Sequence, residues 1–344
     1  MRFRSGHIEA ESNCYCNAGG IKLGKYDLLI LGASWDSRCV WMEEIQRVEA
    51  SLGIMVTYTR KDSDGRQDRH RELLDEYLGG KCEAKDTIIW KSEDIRTSYD
   101  QIYGIILELR KKVGRPVSVC VDISAIPRYC FLAILAVCLK QGLTDKLTYL
   151  YAEGDYDIEP DITQEVFHEG GWRSVPVPFL EVPYDPLLSK CIYVSLGFDG
   201  SRTQRVTQEQ EPDRVLVLFP RPGVKAEYIR KTFIKNKPLL KYYMMRRKDI
   251  VCAAAGDAVA AWKAMHEAGN ERPNEENIFY ICDGTKAHAL GIGLRALAGG
   301  MGTVFYYIPD EHRATDVRPL GKFWRYDIRD TSVLPAQNDR GGAG

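Results

Sequence analysis

The sequence lacks a long apolar run, a Cys-x-x-Cys pair and an excess of either charge. Its longest apolar stretch, residues 129–139, is too short to span a bilayer, and no signal-peptide run opens the chain. The absence of Cys-x-x-Cys argues against a structural zinc site, whose ligands are usually closely paired. The formal net charge of −1 gives no electrostatic reason to expect duplex nucleic acid or an anionic membrane as a partner.

Motifs typical of common cofactor and nucleophile sites are missing as well. No G-x-G-x-x-G is present, which argues against a nicotinamide or flavin dinucleotide site, and no Walker sequence ends in Gly-Lys-Ser/Thr. The six histidines show no H-E-x-x-H spacing, and there is no G-x-S-x-G elbow. We therefore expect no cofactor and no bound metal. A catalytic triad whose members meet only in space stays open.

The composition is that of a globular protein. The chain has 344 residues, enough for two ordinary domains, with 44% apolar and 28% charged residues. Its ten cysteines are scattered, and several lie inside apolar runs, where free cysteine behaves as a small buried hydrophobe. This usage predicts a reducing, cytoplasmic location.

Short apolar runs alternate with segments of helical spacing along most of the chain. Runs such as residues 26–31 and 117–123 resemble buried parallel strands, whereas residues 39–52 and 99–113 have helical spacing. Strands that alternate with helices predict parallel sheets joined by crossovers. The expected fold class is therefore α/β, with two Rossmann-like parallel-sheet units related by internal duplication.

Composition shifts suggest where the units begin and end. Residues 1–25 form a polar lead-in, residues 26–155 the first unit, and the Gly- and Pro-rich residues 156–190 a linker or hairpin. Residues 191–330 form the second unit, and the polar, Gly-rich residues 331–344 a disordered tail.

The duplication is predicted because one two-part signature occurs twice. Residues 32–38 and 121–128 carry it in the first half, and residues 197–202 and 282–286 carry it in the second. Within it, 86 residues separate the first-half aspartates and 84 separate the second-half aspartates. Each part follows a predicted strand, and open α/β sheets bind ligands at that edge. The aspartates are Asp36, Asp122, Asp199 and Asp283.

The later part of each signature suggests an anion site at the start of a helix. Gly284 lets the backbone approach a ligand, while Thr285 and Lys286 add a hydroxyl and a positive charge. In the first half, Ser124 and Arg128 occupy the equivalent turn, and arginine suits phosphate. The alternative is that Asp283 or Thr285 caps a helix and that Arg128 lies on the surface.

The earlier part of each signature adds further candidates. Serine and arginine can bind phosphate or ribose, and an aspartate at a strand end can polarise water, hold a metal or accept from a base. Local capping is the alternative, and for Arg221, at the end of another predicted strand, a simple turn formed by Pro222 and Gly223 is favoured. The candidates are Ser34, Asp36, Arg38, Asp199, Ser201, Arg202 and Arg221, and the catalytic candidates are Asp36, Asp199 and Asp283.

The strand–Asp-Gly-Thr-Lys–helix turn at residues 283–286 resembles the Gly-Gly-Thr-Lys segment of CRISPR-associated Rossmann-fold (CARF) domains. The resemblance covers residues 190–312 and is weaker over residues 26–155. It departs from the family where Asp283 replaces the first glycine.

CARF domains bind cyclic oligoadenylates across a two-fold dimer interface, and some cleave them. The resemblance implies a pocket with Ser201, Arg202, Thr285 and Lys286 on one side. Ser34, Arg38, Ser124 and Arg128 would line the other side. Because no appended nuclease domain is recognisable, it also implies that any effector is either a separate protein or an activity within this fold.

Three functions remain open at this stage. The first is a module of prokaryotic antiviral defence that senses a nucleotide second messenger, which the resemblance favours. The second is an enzyme that processes a nucleotide or another phosphoester through the strand-end aspartates. The third is a scaffold subunit with a degenerate pocket, since the 19 tyrosines and 6 tryptophans can anchor protein interfaces.

Overall fold

The structure is a computed structural model. It describes residues 1–44, 48–59, 65–91, 94–156, 172–183, 185–242, 249–270, 275–281, 283–299, 302–309 and 316–332. The predicted tail lies outside these residues from 333 onward, as does Cys282 of the repeated signature.

Helices and strands alternate through most of the described chain. The strands are β1 (Arg2–Ser5), β2 (Ile8–Tyr15), β3 (Lys25–Gly32), β4 (Glu49–Tyr58), β5 (Cys82–Trp90), β6 (Val117–Asp122), β7 (Thr144–Asp155), β8 (Trp172–Pro176), β9 (Ser189–Ser195), β10 (Arg214–Pro220), β11 (Ile250–Ala253), β12 (Glu275–Ile281), β13 (Gly302–Pro309) and β14 (Arg318–Asp330). The α-helices are α1 (Arg66–Lys81), α2 (Ile95–Val113), α3 (Arg128–Lys140), α4 (Gly200–Gln210), α5 (Ala226–Tyr242), α6 (Ala258–Asn270) and α7 (Lys286–Gly299).

The strands form two mixed, mostly parallel sheets. The eight-stranded sheet has the order β1-β2-β14-β7-β6-β3-β4-β5, and the six-stranded sheet has the order β11-β10-β9-β12-β13-β8. We call the first sheet with α1–α3 the first lobe, and the second sheet with α4–α7 the second lobe. The predicted α/β class is confirmed.

The parallel part of both sheets has the same strand order. Numbered within its own lobe, each parallel set runs 3-2-1-4-5, and each has an antiparallel strand beside the fifth, β14 next to β7 and β8 next to β13. This is a doubly wound arrangement, in which ligands bind where the strand order reverses. The shared order agrees with the predicted duplication, which stays a prediction because many unrelated doubly wound proteins share such orders.

The two lobes pack through apolar helices. Residues 129–139 of α3 and 287–296 of α7 are buried, as expected for helices that are apolar on most faces. The helices approach closely at Gly293, where an added Cβ would lie 2.5 Å from Leu132. One hydrophobic cluster includes residues of both lobes. The lobes therefore share a core.

Strand pairing departs from the predicted boundaries in three places. The lead-in, residues 1–25, contributes β1 and β2 to the first sheet. The predicted linker supplies β8, which pairs with β13. Residues 318–330, assigned to the second unit, form β14 between β2 and β7 of the first sheet. The long-range hydrogen bonds of these strands have no local sequence signature.

The helix predicted over residues 39–52 is wrong in its second part. A 3-10 turn covers Ser37–Glu44, and β4 already begins at Glu49. Pairing of β4 with β3 and with β5 extends this strand and overrides the helical spacing of its first residues. In the described part of the chain, no helix is both long and apolar enough to cross a bilayer.

Candidate functional site

A cavity of about 310 Å³ lies where the carboxyl ends of the parallel strands of both sheets meet. The turns after β3, β6, β9 and β12 line it, together with the ends of β4, β5, β7, β10 and β13. Its volume is at the lower end of the range for small-molecule sites. The predicted residues at its wall are Ser34, Asp36, Arg38, Arg128, Arg202, Asp283, Gly284, Thr285 and Lys286.

Arg128 and Lys286 reach across the cavity to the opposite lobe. The Nζ of Lys286 donates to the backbone carbonyl of Ser124 at 2.5 Å, and Arg128 donates to the backbone carbonyl of Gly284. Each cation thus binds the turn that precedes the other cation's helix. Neither forms a salt bridge with any described residue. Two basic side chains from different lobes therefore meet in one cavity, and their hydrogen bonds across it go to backbone carbonyls.

The electrostatic surroundings of Lys286 confirm that its charge is poorly compensated. Burial, followed by the nearby Arg38 guanidinium, lowers the pKa of Lys286 well below its usual value, and Arg128 acts in the same direction. Asp36 and Asp122 oppose this shift without cancelling it. An anion in the cavity would stabilise the charged form.

The other two arginines of the cavity are paired with aspartates of their own turns. Arg38 contacts Asp36 at 2.6 Å, and Arg202 contacts Asp199 at 2.7 Å. Asp199 also caps α4 by accepting from the backbone of Ser201. Both guanidinium groups are almost fully buried, so these pairs fix their orientation at the cavity wall.

The turn before α7 requires glycine at position 284. Gly284 has a φ of +79°, and an added Cβ would lie 2.1 Å from the hydroxyl of Ser195. The carboxylate of Asp283 accepts from the backbone N–H of Asp199 at 2.7 Å, and burial raises the pKa of this carboxyl group. Thr285 donates to the carbonyl of Ala255 and accepts from the backbone of His288. Asp283 and Thr285 thus stabilise the turn that presents Lys286.

Ser124 supports the cavity from behind its wall. It is fully buried, and its hydroxyl donates to Asp122 at 2.6 Å and accepts from the indole N–H of Trp41 at 3.0 Å. Burial raises the pKa of Asp122 to about 6. The hydroxyl is thus engaged with the protein, and Ser124 offers Lys286 its carbonyl.

Four predicted ligand residues do not line the cavity: Ser124, which lies behind its wall, Asp199, which caps α4, Ser201 and Arg221. Ser201 is exposed, and its hydroxyl donates to Asp199 at 2.5 Å, so it completes the cap of α4. Arg221 is exposed in the turn after β10, and its backbone donates to the carbonyl of Ala253. The turn interpretation of residues 221–223 agrees with this geometry.

Two groups of aromatic side chains that sequence reasoning missed also line the cavity. We call them the Phe198 cluster, with ring centroids 5.3–6.1 Å apart, and the Trp90 cluster, at 4.9–5.9 Å. Each cluster draws rings from both lobes. Aromatic residues at strand ends were the available signal. The Phe198 cluster is Tyr156, Phe198 and Tyr228, and the Trp90 cluster is Trp90, Tyr129 and Tyr306.

Several buried polar atoms of cavity residues have no hydrogen-bond partner among the described residues. Such atoms are rare in folded proteins and call for an explanation. A ligand that supplies donors and acceptors would provide one. The atoms are the hydroxyls of Tyr58 and Thr232, the indole Nε1 of Trp90, Nε of Arg128 and Oε2 of Glu153.

The described residues contain no group of three or more His, Cys, Asp or Glu side chains that could hold a metal ion. A comparison with protein-family models finds no matching family, and a comparison with curated proteins finds no matching relative.

Proposed function

We propose that the cavity between the lobes binds a nucleotide and that the chain is a nucleotide-sensing module. Arg128 and Lys286 carry this proposal, because they place two charges without carboxylate partners in one cavity. Both lie at the start of a helix, α3 or α7, where the helix dipole also favours an anion. A phosphate bound between them would accept hydrogen bonds from both lobes.

The aromatic clusters support a nucleotide over a simple inorganic anion. Bases stack on aromatic side chains, and each stacked base contributes roughly 1–3 kcal/mol. The Phe198 and Trp90 clusters supply such rings in the same cavity as the cations. A volume of about 310 Å³ favours a mononucleotide or dinucleotide over a larger cyclic oligonucleotide.

The positions of the aspartates favour binding over hydrolysis. Asp36 and Asp199 are occupied by their arginine partners, and Asp283 accepts from a backbone N–H. Asp36 and Asp199 cannot activate water without first losing these contacts, and Asp283 has one of its two oxygens engaged. Binding without turnover is what a sensor requires. In the cytoplasmic antiviral role that the resemblance to CARF domains implies, occupancy of the cavity would be relayed to a separate effector protein.

Calorimetry with mononucleotides and with linear and cyclic dinucleotides tests the proposal. At least one nucleotide should bind, and Arg128→Ala and Lys286→Ala should each weaken it by roughly 10- to 100-fold, since hydrogen bonds to charged groups contribute about 1.5–3 kcal/mol. If no nucleotide of the panel binds, the proposal is wrong.

Two matched controls lie outside the cavity. Arg221→Ala removes an exposed arginine from the same edge of the second sheet. Lys190→Ala removes a lysine whose Nζ also donates to a backbone carbonyl, that of Gln210 at 2.9 Å, at the start of β9. Both variants should bind as the wild type does. Equal losses in the controls and in the cavity variants would show a general charge effect and contradict the proposed site.

A further inference from the structure

Glu153 is a buried carboxylate with one unused oxygen at the cavity. It lies in β7 with 4% of its surface exposed. Its Oε1 accepts from the indole N–H of Trp324 at 2.6 Å, whereas Oε2 has no partner among the described residues. Gly256 makes room for this carboxylate, since an added Cβ there would lie 2.1 Å from Oε1. Beside the cavity, this carboxylate thus has one oxygen that accepts a hydrogen bond and one oxygen that has no donor among the described residues.

A half-satisfied buried carboxylate is costly unless something else donates to it. Glu153 forms no salt bridge within the described ranges, and burial raises the pKa of its carboxyl group despite the hydrogen bond from Trp324. A phosphate would be repelled by this group. The part of a ligand that lies beside Glu153 should therefore be uncharged and rich in N–H donors.

We infer that Glu153 recognises the base of the nucleotide, with its Oε2 accepting a hydrogen bond from an exocyclic amine. This inference rests on the proposed nucleotide site. The phosphate lies against Arg128 and Lys286, and the base lies among the aromatic rings. Tyr151, on the same face of β7 as Glu153, is a further ring at the cavity wall. The cavity thus selects nucleotides with an amino-bearing base, such as adenine or cytosine. It discriminates against the matching oxo bases, hypoxanthine and uracil.

Glu153→Gln provides a sharp test, because Trp324 fixes the orientation of the new amide. The indole N–H requires an acceptor, so the amide oxygen faces Trp324 and the amide NH₂ takes the place of Oε2. An acceptor thereby becomes a donor at an unchanged position. The wild type should prefer AMP over IMP and CMP over UMP by at least about 10-fold, and Glu153→Gln should invert both preferences. The two nucleotides of each pair carry the same phosphate, so loss of the Glu153 charge changes both affinities alike and leaves their ratio unaffected.

A second variant tests the role of Trp324. In Glu153→Gln combined with Trp324→Phe, the amide can turn either way, so the preference should disappear instead of inverting. Phenylalanine retains a ring to stack on Tyr326. Thermal unfolding of both variants checks that they fold.

The outcomes separate this inference from the proposed function. If AMP and IMP bind the wild type equally, but both are lost in Lys286→Ala, the role of Glu153 is wrong and the nucleotide site stands. If Glu153→Gln instead changes the preference for ribose over 2′-deoxyribose, Glu153 recognises the sugar and the inference is overturned. If no mononucleotide or dinucleotide of either base type binds, both proposals fail.

Discussion

The ammonium group of Lys286 lies 2.5 Å from the backbone carbonyl of Ser124 in the opposite lobe. Arg128 makes the reciprocal contact with Gly284, so each lobe supplies a cation that closes on the other lobe's turn. A phosphate in the cavity would compete with the two carbonyls for these cations. The contact thus connects the packing of the lobes to occupancy of the site.

Lys286 should contribute to binding at the expense of stability. Burial of its charge is unfavourable, as its lowered pKa shows. Lys286→Met keeps an unbranched side chain of nearly the same length and removes the charge, so the melting temperature at pH 7 should be no lower than that of the wild type, while nucleotide affinity falls. A marked loss of thermal stability would show that the charge stabilises the fold.

Nucleotide binding should be accompanied by proton uptake. In the unliganded protein, burial together with Arg38 and Arg128 lowers the pKa of Lys286. A bound phosphate favours the charged lysine and raises this pKa, so affinity is highest below the unliganded pKa and falls as pH rises above it. Calorimetry with a phosphodiester dinucleotide, in buffers of different ionisation enthalpy between pH 7 and 9, should show this uptake.

Lys286→Arg is the matched control for proton uptake, because arginine stays charged over this range. The observed heat of binding should then not depend on the buffer. A buffer-independent heat in the wild type would mean that Lys286 is already fully charged before the ligand binds.

His288 should make part of the stability depend on pH. It is buried, with Nδ1 3.1 Å from the Ser195 hydroxyl and Nε2 3.2 Å from the carbonyl of Ala254, and burial lowers its pKa from 6.5 to about 4. On acidification, the folded state therefore binds the proton of this histidine at a lower pH than the unfolded state does. The contribution of neutral His288 is complete above pH 6.5 and is lost as pH falls toward 4.

Comparison of the wild type with His288→Gln isolates this effect. From pH 7 to pH 4, the wild type should lose about 3 kcal/mol of unfolding free energy relative to His288→Gln. Asp122, whose pKa is raised to about 6, titrates in both proteins and cancels in the difference. Urea unfolding of both proteins at several pH values measures the difference in their unfolding free energies. A constant difference would contradict the neutral, buried state of His288.

Gly284 should be intolerant of any side chain. Its φ of +79° and the 2.1 Å approach of an added Cβ to Ser195 both oppose alanine. Gly284→Ala should cost about 2 kcal/mol or more, and Gly65→Ala should cost less. Gly65 also has a positive φ, +68°, but has nothing within 4 Å of an added Cβ. Equal costs in chemical denaturation would mean that the close approach to Ser195 has no effect.

Local sequence predicted the strand-end turns well, because each buried strand is a short apolar run that stops at glycine or a polar residue. The turns of Arg38 and Arg202 line one cavity for this reason. Local sequence could not separate ligand binding from capping, since both use the same residue types. The sequence therefore predicts Ser201 as a ligand residue, although its hydroxyl donates to Asp199, the cap of α4.

The remaining features depend on contacts between distant residues. Strand β14 pairs with β7 and β2 over long sequence separations, and nothing in residues 318–330 alone specifies that register. Glu153 is a single glutamate in a strand with no motif around it. Its importance follows from its burial, from Trp324 and from the cavity, and these emerge only when β7 and β14 pair.

The most direct test of the central claim is a crystal structure of the protein with the nucleotide that calorimetry ranks first. We expect phosphate density within hydrogen-bonding distance of both Arg128 and Lys286, with the base among the aromatic rings of the cavity. Density for the nucleotide at any other place, with both cations still bound to the carbonyls of Gly284 and Ser124, would contradict the account.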